Sequence, residues 1–209
     1  MKKLILLALG VVATSCTPAT TIQSYVDSSL TKASLSSGGI TVLPLLLGED
    51  VKDANIPELR RELSRRTGES IKTFFPSAKV VGADQTSSVL SSGSLLDEYN
   101  SAANVFDKTS NLKPDILNKI TDITGTRYVI LPYLQTAYST TTIGAYGIRN
   151  TTYTSAFSMV IWDKKQGKTV YEGSGSATLY PTLLKPVNIL DAAYKAFDNA
   201  GAKVSQDIK

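Results

Sequence analysis

Arg127-Tyr-Val-Ile-Leu-Pro-Tyr-Leu134 is the first of three apolar stretches in the second half of the chain that decide how it folds. The others are Thr154 to Trp162 and Lys168 to Ala177, separated from each other only by Asp163-Lys-Lys-Gln-Gly167. β-Branched and aromatic residues crowd all three, as strands require, and the short link carries the Asp and Gly of a turn. The last two stretches therefore read as a hairpin, with the first as another strand beside it. Between the first and second lies Tyr133 to Phe157, rich in Tyr and Thr, where Gly144-Ala-Tyr-Gly147 can make a turn. That composition suits a long β-hairpin projecting from the sheet, or an exposed loop.

Upstream, Ile40-Thr-Val-Leu-Pro-Leu-Leu-Leu47 is a continuous apolar run expected of a strand buried on both faces. Pro44 within it cannot donate to a ladder, which predicts a bulge or a sheet edge there. Ile56, Leu59, Leu63, Ile71 and Phe74 recur at helical spacing between Ala54 and Phe75. Ala78-Lys-Val-Val81 reads as a short strand, and a serine-rich link to Gly93 leads into a helix from Ser94 to Lys108. Pro114 opens another helix with Ile116, Leu117, Ile120 and Ile123 on its inner face and Gly125 as its C-cap. Val187 to Val204 closes the chain as an amphipathic helix bearing Leu190, Ala193, Tyr194 and Phe197. The order β-α-β-α-α-β-β-β-α defines an α/β (α+β) class, a mixed sheet with helices packed on it, forming a single domain over residues 40–209.

Gly-Thr-Arg-Tyr-Val-Ile ahead of a hydrophobic strand, an Asp-x-x-x-Gly-Lys turn and the strand Thr-Val-Tyr-Glu-Gly carry a resemblance. Together they resemble a group of bacterial envelope proteins. The group includes the N-terminal domain of the Tol propeller protein, the lipoprotein activators of peptidoglycan synthases and the curli secretion channel. The likeness spans residues 40 to 204, with Gln166 where the group usually has Thr, and implies a fold more than a function. In the curli channel, hairpins at this topological point build a membrane barrel. That family needs a second hairpin after the last core strand, and only Thr178 to Pro186 is present there.

The opening residues give a second resemblance. Lys2 and Lys3 precede an unbroken run of apolar residues and glycine from Leu4 to Ala13. That run suits a signal-peptide core and is too short for a membrane span, which needs ~20 apolar residues. Ala13-Thr-Ser-Cys16 then resembles the lipobox of bacterial lipoproteins, with Ala13 in place of the usual Leu. The resemblance implies cleavage after residue 15 and acylation of Cys16 by fatty acids such as palmitate. Cys16 is the only cysteine, so no disulfide can form within the chain and no cysteine-based zinc site can exist. Residues 16–39, Thr/Ser-rich and uncharged before Asp27, read as a flexible tether. Thr17 is not aspartate, the inner-membrane retention signal of enterobacterial lipoproteins. The expected location is the cell envelope, at the outer membrane and facing the periplasm.

Absences narrow the chemistry. The chain has no histidine, which removes Ser-His-Asp and Cys-His catalysis and every imidazole metal ligand. Gly167-Lys168-Thr169 imitates the end of a phosphate loop, but Trp162 stands where its first glycine is needed and strands flank it on both sides. Ser29-Leu-Thr-Lys32 matches a penicillin-recognising motif by letter alone. Losing Lys2 and Lys3 takes the formal charge from +4 to +2, far from a nucleic-acid footprint. What remains is a non-catalytic binding or assembly module without cofactor or metal, with the membrane and an envelope protein as partners. The alternative is a subunit of an oligomeric outer-membrane secretion channel, or its assembly factor. Candidate binding residues are Tyr138, Tyr146 and Tyr153 in the hairpin, and Arg61 and Arg65, which share a helix face. Cys16→Ser is expected to move the protein out of the membrane fraction, because each buried acyl CH₂ contributes ~0.8 kcal/mol and the bare domain has no other anchor. Fractionation after a high-salt wash checks this, and full membrane retention of the variant would contradict the lipoprotein reading.

Overall fold

In the computed structural model of the protein, residues 22–52, 55–147, 149–182 and 185–209 are described. Cys16 and the expected signal peptide, residues 1–15, lie outside them. The elements run β1 (Ile22–Val26), α1 (Lys32–Gly38), β2 (Ile40–Val42), β3 (Leu46–Val51), α2 (Ile56–Phe74), β4 (Val80–Val81), α3 (Ala83–Ser92), α4 (Leu96–Thr109), α5 (Pro114–Thr124), β5 (Tyr128–Ile143), β6 (Arg149–Asp163), β7 (Lys168–Leu179) and α6 (Ile189–Asp207). Seven strands form one mixed sheet in the order β1-β7-β6-β5-β2-β4, and β3 also pairs with β5. β2 and β3 run parallel to β5, whereas β1, β7, β6 and β5 form an antiparallel set.

Helices cover both faces, as a sheet apolar on each side demands. On one face α1, α2 and α6 pack Leu35, Leu59, Leu63, Ile71, Ala196 and Phe197 against Ile130, Phe157, Met159 and Tyr171. On the other, α3, α4 and α5 pack Leu90, Tyr99, Phe106, Ile116 and Ile120 against Val129, Leu131, Val160 and Trp162. The predicted class, strands β5 to β7 and the α2, α5 and α6 helices all appear. Gly125, at φ +64°, ends α5 in the left-handed conformation expected of a C-cap glycine.

Ile123, expected on the inner face of α5, is exposed, and three larger expectations differ. First, residues 22–39 are not a tether. β1 pairs antiparallel with β7 from Ile22↔Gly175 to Val26↔Tyr171, and Leu30 and Leu35 are buried. An edge strand draws its backbone hydrogen bonds from its neighbour, so a polar stretch can join a sheet without an alternating pattern of its own. Asp27 then fastens this segment. Its carboxylate accepts from Lys168 Nζ at 2.6 Å and from the amide and hydroxyl of Ser29, which hold its pKa well below the usual carboxylate range.

Second, Ile40 to Leu47 is two strands. Pro44 interrupts the ladder, and the backbone groups around it find other partners. The Leu43 amide donates to the Ile130 carbonyl, the Leu45 amide to Ser64 Oγ at 3.1 Å, and the Pro44 carbonyl accepts from the Tyr99 hydroxyl. Third, the serine-rich link is helix α3. Thr86, Ser87, Ser88 and Ser91 each turn the hydroxyl back to the carbonyl four residues earlier, which satisfies it inside the helix. The next helix starts at Leu96, after Ser94 at φ +54°.

The end of the sheet nearest the β6–β7 turn is closed by a buried ion pair. Arg127 grips Asp163 with two hydrogen bonds, of 2.8 and 2.5 Å, and its guanidinium lies over the Tyr128 ring. Burial alone would raise the Asp163 pKa, but Arg127, the Lys165 amide and Gln166 outweigh it and hold the carboxyl below its ordinary value.

β7 lies against α6 at its glycines. A Cβ on Gly175 would sit 2.5 Å from the Ala200 amide nitrogen and 2.8 Å from the Ala196 carbonyl oxygen, both backbone atoms of α6. Gly175→Ala is expected to cost ~1–3 kcal/mol by forcing that helix away. Gly68→Ala, inside α2 with nothing within 4 Å of the new methyl, is expected to stabilise by ~0.5–1 kcal/mol through helix propensity. Urea unfolding of both variants checks the opposite signs, and two equal shifts would contradict this packing.

Candidate docking hairpin

β5 and β6 pair in register from Tyr128↔Asp163 out to Ile143↔Arg149, which makes them much longer than the strands beside them. β3 follows β5 only as far as Val51↔Ala137, and β7 follows β6 only as far as Tyr153↔Leu179. Residues 138–143 and 149–152 therefore extend beyond the body by about 20 Å at the usual rise per residue. Among the described residues no strand pairs with their outer edges. A bulge at Gln135 sets where the extension starts, and Gly48 makes room for it, because a Cβ there would lie 2.4 Å from the Gln135 carbonyl oxygen.

The extension is held together by its own ladder and by threonines. The Thr141 and Thr151 hydroxyls meet at 3.0 Å, and the Thr142 and Thr152 hydroxyls donate across the hairpin to the Asn150 and Thr140 carbonyls at 3.4 Å. Such pairs stabilise a two-stranded ribbon without a hydrophobic core. No charged residue occurs between Arg127 and Arg149. Free strand edges in soluble proteins are ordinarily guarded by charge, proline or a covering element. Here the one charge in the ribbon is Arg149, at its outer end.

The three tyrosines singled out from the sequence do not come together. Tyr138 is 38% exposed and shares a face with Thr154 and Thr178 across the register. Tyr153 lies on the opposite face, between Ser139 and Leu179, and packs partly against the main core. Tyr146 is at the tip and fully exposed. Its backbone is left-handed, at φ 62° and ψ 22°, followed by Gly147 at φ +72°. A side chain in that region costs about 1–2 kcal/mol relative to glycine. The Tyr146 ring is fully exposed, with no described residue packed over it. Ile143, 72% exposed at the same end, was missed by sequence reading, although the uncharged run that contains it was a usable signal.

The arginine face of α2 is largely self-compensated. Arg65 donates to both carboxylate oxygens of Glu62, at 3.1 and 2.7 Å, and to Glu69 at 2.6 Å. Arg66 also bonds Glu62 and lies 4.1 Å over the Tyr194 ring. The Arg65 and Arg66 hydrogen bonds lower the Glu62 pKa to about 2. Arg61 is exposed, with Arg65 one turn further on. Arg60 instead edges a groove of about 490 Å³ that Leu45, Leu46, Leu47, Leu90 and Tyr99 also line. Among the described residues no helix is long and apolar enough to cross a membrane, and no cluster of metal-ligating side chains occurs.

No protein-family model and no curated protein matches the sequence. Solved structures of similar fold include a dodecameric PelC variant from Paraburkholderia phytofirmans, with a TM-score of 0.51 and 9% identity, covering 91% of this chain and 100% of that one. Lipoprotein GNA1162 from Neisseria meningitidis has a TM-score of 0.43 and 17% identity, covering 68% of this chain and 83% of that one. The LpoB C-terminal domain from Salmonella enterica has a TM-score of 0.34 and 12% identity, covering 71% of this chain and 96% of that one. At 9% identity the likeness to PelC concerns the fold, and no argument rests on the other two.

Proposed function

We propose that this chain is a lipid-anchored, non-catalytic docking module of the bacterial cell envelope. It is held through Cys16 at the outer membrane, faces the periplasm, and binds another envelope protein along the flank of its β5–β6 hairpin. The observation that carries the reading is the extension itself. Residues 138–143 and 149–152 form a ribbon whose one charge is Arg149 and whose outer edges pair with no strand among the described residues. Main-chain pairing along such an edge supplies affinity, while the side chains on alternate positions supply specificity. Tyr138, half exposed at the root of the ribbon, is the kind of rigid amphipathic side chain that dominates interfaces. The carboxylates with lowered pKa support a non-catalytic reading, since Asp27, Glu62 and Asp163 are each committed to a cation.

A second reading makes the partner another copy of the chain, in a ring that forms or assembles a secretion channel. The dodecameric state of PelC favours it, as do the free edges, which could pair between subunits.

One deletion separates the two. Replacing residues 140–152 with Asn-Gly leaves Ser139 facing Tyr153 across a two-residue turn and keeps every pairing with β3 and β7. The shortened protein is expected to fold and to melt within a few degrees of the parent. In the docking reading, cross-linking in native membranes captures a heterologous envelope protein with the parent and loses it with the variant. In the ring reading, the parent sediments as an oligomer in detergent and the variant as a monomer. Undiminished capture by the variant would contradict the hairpin as the docking element.

A further inference from the structure

The register of β1 fixes which end of the sheet is occupied by Ile22, six residues after Cys16. β1 is antiparallel to β7, with Val26 opposite Tyr171 and Ile22 opposite Gly175. Traced backwards from Val26 to Ile22, the chain therefore heads toward Leu179 and so toward the hairpin tip. Ile22, the first described residue, is the end of β1 nearer the ribbon. Ile22 stands level with Gly175 and Phe157, and Phe157 is eight residues short of Arg149 at the tip.

Chain geometry then sets the heights. The tip lies about 27 Å beyond Ile22 at the rise of an antiparallel strand. Cys16 is six residues before Ile22, and a fully extended link of that length reaches ~20 Å. An acylated Cys16 sits at the bilayer surface. With the strands upright, even a fully stretched link leaves the tip about 7 Å beyond that surface, and a slacker link leaves it deeper. That overlap matches the ~5–10 Å to which interfacial segments sink into the headgroup and acyl boundary.

We propose that the hairpin tip, Ile143 to Arg149, rests in the interfacial layer of the membrane that holds the anchor, with lipid as its ligand. This rests on the lipoprotein reading of Cys16. The composition of the tip fits the site. Ile143 and Tyr146 are the most exposed large hydrophobic side chains among the described residues, and the sequence adds an uncharged Gly-Ala and Ile148. Tyrosine is enriched at this depth because its ring is apolar and its hydroxyl is wet. Arg149, opposite Ile143, is the first charge and suits anionic headgroups. The strained backbone of Tyr146 is then explained by what the ring meets outside the protein. The ribbon touches the membrane without crossing it. Its strands extend only six and four residues past the body, where a spanning strand needs ~9–11, and threonines occupy both of its faces.

The test uses the full acylated protein in vesicles of phosphatidylethanolamine and phosphatidylglycerol. Acylation blocks the Cys16 thiol, so Tyr146→Cys or Lys165→Cys introduces the only reactive one, at the tip and in the β6–β7 turn at the opposite end of the sheet. Each is labelled with an environment-sensitive fluorophore, and mass spectrometry of the N-terminal peptide reports acylation. The label at 146 is expected to shift to shorter wavelength and to be quenched by lipid-borne nitroxide several-fold more than the label at 165. An acylated protein whose two labels both remain in water overturns the proposal and leaves the lipoprotein reading standing. An unacylated Cys16 overturns both.

Discussion

The pairing of β1 with β7 is the constraint on which the rest of the account turns. Five residue pairs, with Ile22 opposite Gly175 at one end and Val26 opposite Tyr171 at the other, convert an uncharged N-terminal stretch into the edge of the sheet. The pairing is short, only five residues, and two of them are Gln23 and Ser24. It is reinforced just beyond its end, where Asp27 accepts from Lys168 and Ser29, Gln166 donates to Ser29, and the Lys32 amide reaches the Lys209 carbonyl. These contacts join the N-terminal segment to the β6–β7 turn and to the C-terminus. They also fix a direction, because β1, traced back to Ile22, runs toward the hairpin.

The body of the domain positions that hairpin rigidly. β5 and β6 are gripped on both faces by separate apolar clusters, so their shared axis is set before they leave the body. Along β7 the close approach of α6 at Gly175 fixes the C-terminal helix against one face. A buried set of hydroxyls, Thr41, Thr124 and Thr126, within 2.7 to 3.0 Å of one another, ties β2 to the link between α5 and β5. The ribbon is thus a lever mounted on a packed base. Movement at its tip is not absorbed by a soft hinge of glycines, since none lies between Leu134 and Ile143.

How much of this was legible in the sequence follows from what signals each element carries. β5, β6 and β7 announce themselves through runs of Val, Ile, Tyr and Trp, and α2, α5 and α6 through apolar residues at helical spacing. These elements bury enough apolar surface to write their period into the chain. β1 and α3 do not. β1 is held by its neighbour's backbone and an ion pair more than a hundred residues away, and α3 is made of serines whose hydroxyls are satisfied locally. Neither mechanism leaves a hydrophobic pattern, so both read as linker. The candidate site was half visible. Composition marked the hairpin and its tyrosines, but only the register shows that Tyr138 and Tyr153 face opposite ways and that Tyr146 stands alone at the tip. The arginines of α2 were equally conspicuous, but the pairing of Arg65 and Arg66 with Glu62 and Glu69 comes from the structure.

The central claim is that residues 22–26 are a strand of the sheet rather than part of a free tether. Amide hydrogen exchange of the full-length non-lipidated chain measures this directly. The account predicts that amides of 22–26 bonded to β7 exchange orders of magnitude more slowly than an unstructured chain, and that Asp27→Ala or Lys168→Ala speeds them selectively. Exchange of these amides at unstructured rates, with β6 and α6 still protected, would contradict it and detach the anchor from any fixed relation to the hairpin.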